Sequence, residues 1–522
     1  MTVSTTTLRQ APSGSLRPPA EDRLDESRTK TFFAVLLAIA VMVLWILPIR
    51  SSFWLDETGT FWVVKDGLAN LLARSADWSG QSPLYYLTAW TAFVAGGSAE
   101  WVLRLPSLAA LMVATWFFYR LADRLFDAAT ARLAALFFVC FEPVAFAASD
   151  ARPYALGLAM VIGSAWMLVR WLDTGWMRHA AGYIVLSALA VYTHYFFAPV
   201  LAVLGLYAAS RMLRERRSCF WKLPVAWTAV AILLLPLVSQ LHRFYQSRGA
   251  HSFAGTPSFA NLFAAMAPPV PTGAIAAGVF LAWLLSPKKE RQPRVRRASL
   301  LMAAAWALAP PLILFAVSVS SQAKVFVPRY YVCYAPGLCL VAGCVVRAVV
   351  DRRGQRVVAT ALVVFGTMGF GGWRHGNEDW RGAMRTIRSQ DRDGNLPVLA
   401  ASGFVEAADP QALDAPRSRE VLFAPLAMYP PGGHLLRLPY SLNEESAKYL
   451  ERFLPKLQSE RRFILVVPYQ GWTFEPWLRG RLAPRGFQSE SLGDFGSVGV
   501  FLFSRAPFQS EPRPPLQSEP RP

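Results

Sequence analysis

Asp56 and Glu57 stand side by side in the segment Ser51-Ser-Phe-Trp-Leu-Asp56-Glu57-Thr, directly after the first long apolar run of the chain. Adjacent carboxylates at a membrane surface repel each other and cost desolvation energy, so they suit a place where a cation, a metal ion or a proton transfer uses them. A solvated loop turn accommodates the same pair. Three more polar clusters sit at the ends of apolar runs: Ser149-Asp150-Ala-Arg152-Pro-Tyr154, Tyr192-Thr-His194-Tyr195, and Lys324 with Arg329-Tyr330-Tyr331. Carboxylates, a histidine and guanidinium groups could together move a proton and hold an anion.

The elements that must position these groups are membrane spans. Of 522 residues 54% are apolar, the mean hydropathy is +0.30, and only 17% are charged, against about 25% in ordinary soluble domains. An ordinary soluble protein is excluded. Apolar runs fall near 31–49, 104–121, 131–148, 153–170, 179–193, 196–210, 223–241, 272–286, 298–319, 330–349 and 357–373, which predicts about eleven helical spans, several shorter than the roughly 20 residues a perpendicular span needs.

The formal charge of +19 invites a nucleic-acid partner, but its distribution removes that need. Six short connectors (the N-terminus, 120–132, 170–178, 211–222, 288–297 and 347–356) carry 25 of the 53 cations, the alternate connectors nine, and the chain after residue 373 the other 19. This is the positive-inside pattern of a multi-pass protein of a bacterial plasma (inner) membrane, with the N-terminus cytoplasmic and the C-terminus outside. The apolar stretch 83–97 is too short to count. Reading it as a span would invert every later loop, so it is expected to lie on the outer surface. The N-terminus has no small-x-small cleavage site after its first apolar run and reads as an uncleaved anchor.

All four polar clusters then reach one outer face. An outer cavity with carboxylates, a histidine and cations, walled by apolar helices, suits a substrate with a greasy tail and an anionic head. The expected organisation is a cytoplasmic tail 1–30, a transmembrane domain 31–373, an extracytoplasmic α/β domain 374–507 and a Pro-rich disordered tail 508–522. Within the transmembrane domain, 50–103 forms the first outer loop and 242–272 an outer lid-like loop. In the outer domain we expect a helix at 380–388, strands at 398–401, 463–467 and 498–503, and a helix opened by the capping box Ser441-Leu-Asn-Glu444. The five cysteines, Cys140, Cys219, Cys333, Cys339 and Cys344, match no zinc or redox spacing, and the outer domain has none.

The ordered set Asp56-Glu57, Ser82-Pro-Leu-Tyr-Tyr86, Arg104-Leu-Pro106, Ala151-Arg-Pro-Tyr154, Tyr192-Thr-His-Tyr195, Arg329-Tyr330 and Asp379-Trp-Arg381 resembles the bacterial GT-C glycosyltransferases. Within them it is similar to the family 39 and aminoarabinose-transferase group related to protein O-mannosyltransferases. The resemblance spans roughly residues 50–385. It implies a GT-C fold and transfer of a single sugar from a polyprenyl-phosphate donor to an acceptor hydroxyl on the outer face, with inversion. The acceptor would be a glycolipid, a glycan or a protein.

The resemblance assigns Asp56 as general base, needing only hydrogen-bond reach of the acceptor hydroxyl. Glu57 would orient the acceptor, or hold a divalent ion with Asp150; whether a metal takes part is left open, with Glu57, Asp150 and His194 as candidate ligands. Arg329 would bind the donor phosphate, a task that suits a bidentate guanidinium, and a snorkelling interfacial arginine is its bland counterpart. Tyr330, Arg152, Tyr154, Lys324 and His194 are further candidates for donor or substrate binding. Tyr330 and Tyr331 also fit an aromatic belt, Arg152 an ion pair with Asp150, and His194 a hydrogen-bonded core histidine. His242 and His251 have weaker claims.

A lipid-carrier transporter or flippase and a polysaccharide assembly protein are the rival readings. The sequence has no internally repeated halves of the kind many transporters show.

Overall fold

The computed structural model describes residues 20–77, 83–215, 220–246, 254–267, 269–285, 296–369, 375–415 and 420–505. Residues 1–19 of the N-terminal tail, Ser82, Cys219, His251, most of the basic connector 288–297 and the Pro-rich tail lie outside the described residues.

Every expected apolar run is helical. The transmembrane part comprises α1 (Ala20–Val41), α5 (Glu100–Leu125), α6 (Ala128–Cys140), α7 (Glu142–Ala148), α8 (Tyr154–Thr174), α9 (Met177–Thr193), α10 (Ala198–Arg214), α11 (Lys222–Leu234), α12 (Val238–Gln246), α14 (Pro269–Leu285), α15 (Arg297–Ser320), α16 (Ala335–Val349) and α17 (Arg352–Gly369). Among the described residues seven helical runs are long and apolar enough to cross a membrane, and one bent pair, counted as one span, makes an eighth. That pair corrects the expectation of one continuous helix over 131–148: α6 and α7 meet at 66°. Pro143 in the first turn of α7 supplies no amide to continue α6. α9, α14 and α17, with 17, 17 and 18 residues, stand for the remaining expected spans.

Between α1 and α5 lie α2 (Leu55–Val64), α3 (Leu68–Asp77) and α4 (Pro83–Gly96). α4 has 14 residues, fewer than a span needs, and buries Tyr85, Tyr86 and Ala89. Part of the expected lid-like loop is itself helical, as α12 and α13 (Phe259–Met266).

α18 (Trp380–Gln390) opens the C-terminal domain, whose sheet has five strands rather than the three expected. These are β1 (Pro397–Ala401), β2 (His434–Leu438), β3 (Arg462–Pro468), β4 (Gln488–Phe495) and β5 (Val498–Ser504), in the order β2-β1-β3-β5-β4. β1 is parallel to β2 and β3, and β5 is antiparallel to β3 and β4. The helix Glu444–Glu451 is capped by Asn443, whose side chain accepts from the Ser446 amide, and not by Ser441 as the capping box suggested.

One apolar core joins the two parts of the molecule. Phe53, Trp62, Val63, Tyr85 and Tyr86 of the 50–103 loop pack in a single cluster with Trp380, Met384, Val398, Ile464 and Val500 of the C-terminal domain. The other face of the sheet is covered by its own helices around Leu465, Phe474 and Leu478. The loop that carries Asp56 is therefore built into the C-terminal domain's core.

Candidate active site

Asp56 and Glu57 occupy the first turn of α2. Neighbouring side chains on a helix project about 100° apart, and the two carboxylates accordingly face different surroundings. Glu57 points inward and pairs twice with Arg104 of α5, Nε to Oε1 at 2.7 Å and Nη2 to Oε2 at 2.5 Å, with neither side chain exposed. The Ala151 amide also donates to Oε1 at 2.7 Å and the Trp54 amide to Oε2 at 3.3 Å. Arg104 spends its remaining hydrogens on the carbonyls of Ile49, Ser51 and Ser52. Glu57 and Arg104 thus tie α2, the end of the first span and the 150 loop together.

Asp56 points toward two cations. Its Oδ2 lies 3.4 Å from Arg329 Nη2 and 3.9 Å from Arg152 Nη2, and Arg152 Nη1 donates to its backbone carbonyl at 3.2 Å. Arg329 also lies over the rings of Trp54 and Tyr330, at 5.6 and 5.3 Å. Burial alone would lower the Arg329 pKa, but the Asp56 carboxylate holds it above the usual guanidinium value. A cavity of about 430 Å³ opens at this point, lined by Trp54, Phe146, Tyr154, Arg329 and Tyr334. α13 contributes Ala264 and Ala265 to its wall, and Tyr334 fixes that helix by donating to the Ala265 carbonyl at 2.7 Å. The Tyr154 hydroxyl is buried and has no hydrogen-bond partner among the described residues.

His194 is brought to the same place, its ring 5.5 Å from Tyr154 and 5.6 Å from Tyr330. Burial, reinforced by Arg152 and Arg329, pushes its pKa down to about 3, so it is a neutral ring among cations. That position is unsuited to a metal ligand. Tyr331 packs in an aromatic cluster with Phe326 and Tyr334. Lys324 is not brought to the site. Its ammonium donates to the carbonyls of Ser318 and Ser321 at 2.8 and 3.0 Å, closing the C-terminal end of α15, where a cation complements the helix dipole.

Asp150 lies behind Trp54, which donates Nε1 to its Oδ1 at 3.1 Å. Opposite stands His375, which sequence reasoning missed. Its Nε2 is 3.4 Å from Asp150 Oδ1, and its Nδ1 is 3.1 Å from the Ser149 hydroxyl. Neither side chain is exposed. Desolvation pushes the Asp150 carboxyl up to about 7 and the His375 ring down to about 3, favouring the neutral form of each. Gly376, with φ +73°, lets the backbone pass close to Trp54, where a Cβ would come within 2.9 Å of the Trp54 Cβ.

Among the described residues the metal-capable group is Glu57, Asp150 and His375, with ligand atoms within 4.8 Å of one another; His375 takes the place expected of His194. Asp150 Oδ2 and His375 Nε2 are buried without hydrogen-bond partners among the described residues and fit a cation. Glu57 is already engaged at both oxygens by Arg104 and backbone amides.

Glu378 was also missed. It accepts from the Leu55 amide at 2.8 Å and from Trp380 Nε1 at 2.5 Å. Desolvation raises its carboxyl to about 7, helped by the charges of Asp56 and Glu57. Asp379 and Arg381 of the same segment hold elements together: Asp379 caps α18 through the Gly382 amide, and Arg381 pairs with Glu100 at 3.0 Å. The only sequence signal for His375 and Glu378 was a polar segment following the last span.

The family described as dolichyl-phosphate-mannose-protein mannosyltransferase matches residues 81–242. Among solved structures, ArnT from Cupriavidus metallidurans bound to undecaprenyl phosphate aligns with a TM-score of 0.54 at 13% identity, covering 90% of this chain and 97% of that one. The same protein in the apo state aligns with a TM-score of 0.55 at 13% identity, covering 91% and 98%. No curated protein matches the chain. The alignment runs over nearly the whole of both chains and bears out the expected fold, a multi-pass helical bundle of the GT-C type followed by a C-terminal α/β domain.

Proposed function

We propose that this chain is a membrane glycosyltransferase that moves one sugar from a polyprenyl-phosphate-linked donor to an acceptor hydroxyl, with inversion at the anomeric carbon. The observation that carries the reading is the Asp56 carboxylate held between Arg152 and Arg329 at an apolar cavity. The likeness to a structure that binds undecaprenyl phosphate supports the donor class.

In the reaction the acceptor oxygen bonds to the anomeric carbon as the bond from that carbon to the donor's phosphate oxygen breaks. Asp56 takes the acceptor's proton. Arg329, with Arg152 beside it, meets the negative charge left on the departing polyprenyl phosphate. A guanidinium presents two parallel donors to phosphate oxygens, which makes Arg329 better suited to this than an ammonium. Tyr154 offers its hydroxyl and Tyr330 its ring to the substrate, and His194 packs between them. A divalent ion, if one is used, would be held by Asp150 and His375, with Glu57 beside them, and would supply charge for binding phosphate.

We place the reaction on the extracytoplasmic side of a bacterial inner membrane, with the N-terminus cytoplasmic, on the strength of the charge asymmetry of the loops. The C-terminal domain packs against the loop that carries Asp56 and so helps to position it. Purified protein in proteoliposomes, supplied with a polyprenyl-phosphate sugar, tests the reading. Asp56→Asn is expected to abolish transfer while the protein still expresses and folds. Transfer at the wild-type rate would overturn the assignment of the base.

A further inference from the structure

A second cavity, of about 740 Å³, shares no lining residue with the one at Asp56. It lies between the end of the first span, the start of α5 and the beginning of the C-terminal domain. Its volume is in the range of sites that hold small ligands.

Its walls divide into two kinds. Ile46, Trp101 and Leu105 line one part and remain 37%, 46% and 41% exposed. They belong to the spans Asp25–Arg50 and Glu100–Leu125, so this part opens toward hydrocarbon. Arg50, Asp379 and Arg381 line the other part. Arg50 ends one span and Glu100 begins the other, so the change from apolar to polar falls at the bilayer boundary. A cavity divided in this way at that level fits an amphiphile whose head lies at the boundary.

The polar rim carries both signs. The Arg50 guanidinium is exposed and has no hydrogen-bond or ion-pair partner among the described residues. Arg381 is already bound to Glu100 and to the Arg50 carbonyl. Asp379 uses one oxygen to cap α18 and accepts no bond on the other among the described residues. A free guanidinium suits a phosphodiester, and a carboxylate with a free oxygen suits an ammonium. A purely anionic head would meet repulsion from Asp379.

We propose that this groove binds one phospholipid with a zwitterionic head, drawn from the leaflet on the C-terminal domain's side. The phosphate meets Arg50, the amine meets Asp379, and an acyl chain lies along Ile46, Trp101 and Leu105. His375 and Glu378 form the groove's inner wall, between it and the residues around Asp56, but it shares no lining residue with the cavity at Asp56, and lipid retention is read without reference to sugar transfer.

Native mass spectrometry tests the proposal on the full chain, reconstituted in nanodiscs of equal parts phosphatidylethanolamine and phosphatidylglycerol. The wild type is expected to retain one phosphatidylethanolamine, severalfold in preference to phosphatidylglycerol. Leu105→Trp, which fills the apolar part, should abolish retention. Arg50→Ala changes an exposed side chain, leaves the packing intact and should remove the preference. Equal retention by the wild type and Leu105→Trp would overturn the site. Retention of phosphatidylglycerol as strong as that of phosphatidylethanolamine, or of a co-purified glycolipid in place of both, would overturn the head-group assignment.

Discussion

Arg104 and Glu57 form an ion pair with no exposed surface on either side chain, their nitrogens and oxygens 2.7 and 2.5 Å apart. Breaking such a pair from one side leaves a bare charge where water cannot reach, a change that costs about 3–5 kcal/mol. Glu57→Gln is therefore expected to destabilise the protein by an amount of that order, read as a large fall in the thermal midpoint of the detergent-solubilised chain. The double variant Glu57→Gln with Arg104→Met removes both charges and should recover part of the loss. Equal midpoints for wild type and Glu57→Gln would contradict the structural role.

Tyr429 of the C-terminal domain accepts from the Phe53 amide at 2.9 Å and donates to Glu100 at 2.9 Å. Tyr429→Phe leaves the buried Phe53 amide without a partner, at a cost of about 1–3 kcal/mol. Because Phe53 lies three residues before Asp56, faster hydrogen exchange is expected over residues 50–58, with kcat falling more than the KM for donor rises. Unchanged exchange there would show that the contact does not hold the loop.

The parts of this architecture that could be read in the sequence are those written in local periodicity and charge. Within the described residues all eleven apolar runs are helical, one of them as the bent pair α6 and α7, and the charge asymmetry grouped Asp56, Asp150, Arg152, His194 and Arg329 at one end of the bundle, where contacts join them. Local signals also misled. Lys324 read as a site cation because its ammonium's capture by two carbonyls of its own helix end leaves no sequence mark. β4 escaped notice because an edge strand with the sequence Gln-Ser-Glu-Ser-Leu-Gly-Asp-Phe lacks the apolar alternation of a buried one. His375 and Glu378 were out of reach for another reason. His375 meets Ser149 across 226 residues, and Glu378 meets Leu55 across 323, so only the folded chain brings them together.

Glu378 gives a pH signature. Burial raises its carboxyl from the ordinary value of 4.5 to about 7, so between those values the folded chain binds more proton at this site than the unfolded chain does. Its contribution to stability is present below about 4.5 and is lost as pH rises through 7. Glu378→Gln keeps an acceptor for the Leu55 amide without the charge. The stability of the wild type relative to this variant is expected to decline from pH 5 to pH 8, measured as the difference between two thermal melts at each pH. A difference that rises over that interval would reverse the assignment.

Arg329 is the sharpest test of how the donor is held. Its guanidinium sits 3.4 Å from Asp56 and lies over the rings of Trp54 and Tyr330, at 5.6 and 5.3 Å. Arg329→Lys keeps the positive charge but loses the paired donors of the planar fork. A residue that only supplied charge would tolerate the change. One that binds a phosphate bidentately should lose a charge-assisted hydrogen bond, worth about 1.5–3 kcal/mol, or roughly a tenfold to a hundredfold fall in kcat/KM for a polyprenyl-phosphate sugar. The loss should appear equally in the affinity for the polyprenyl phosphate left after transfer, since that product retains the phosphate. If product affinity holds while kcat/KM falls, Arg329 acts through Asp56 instead of on the phosphate.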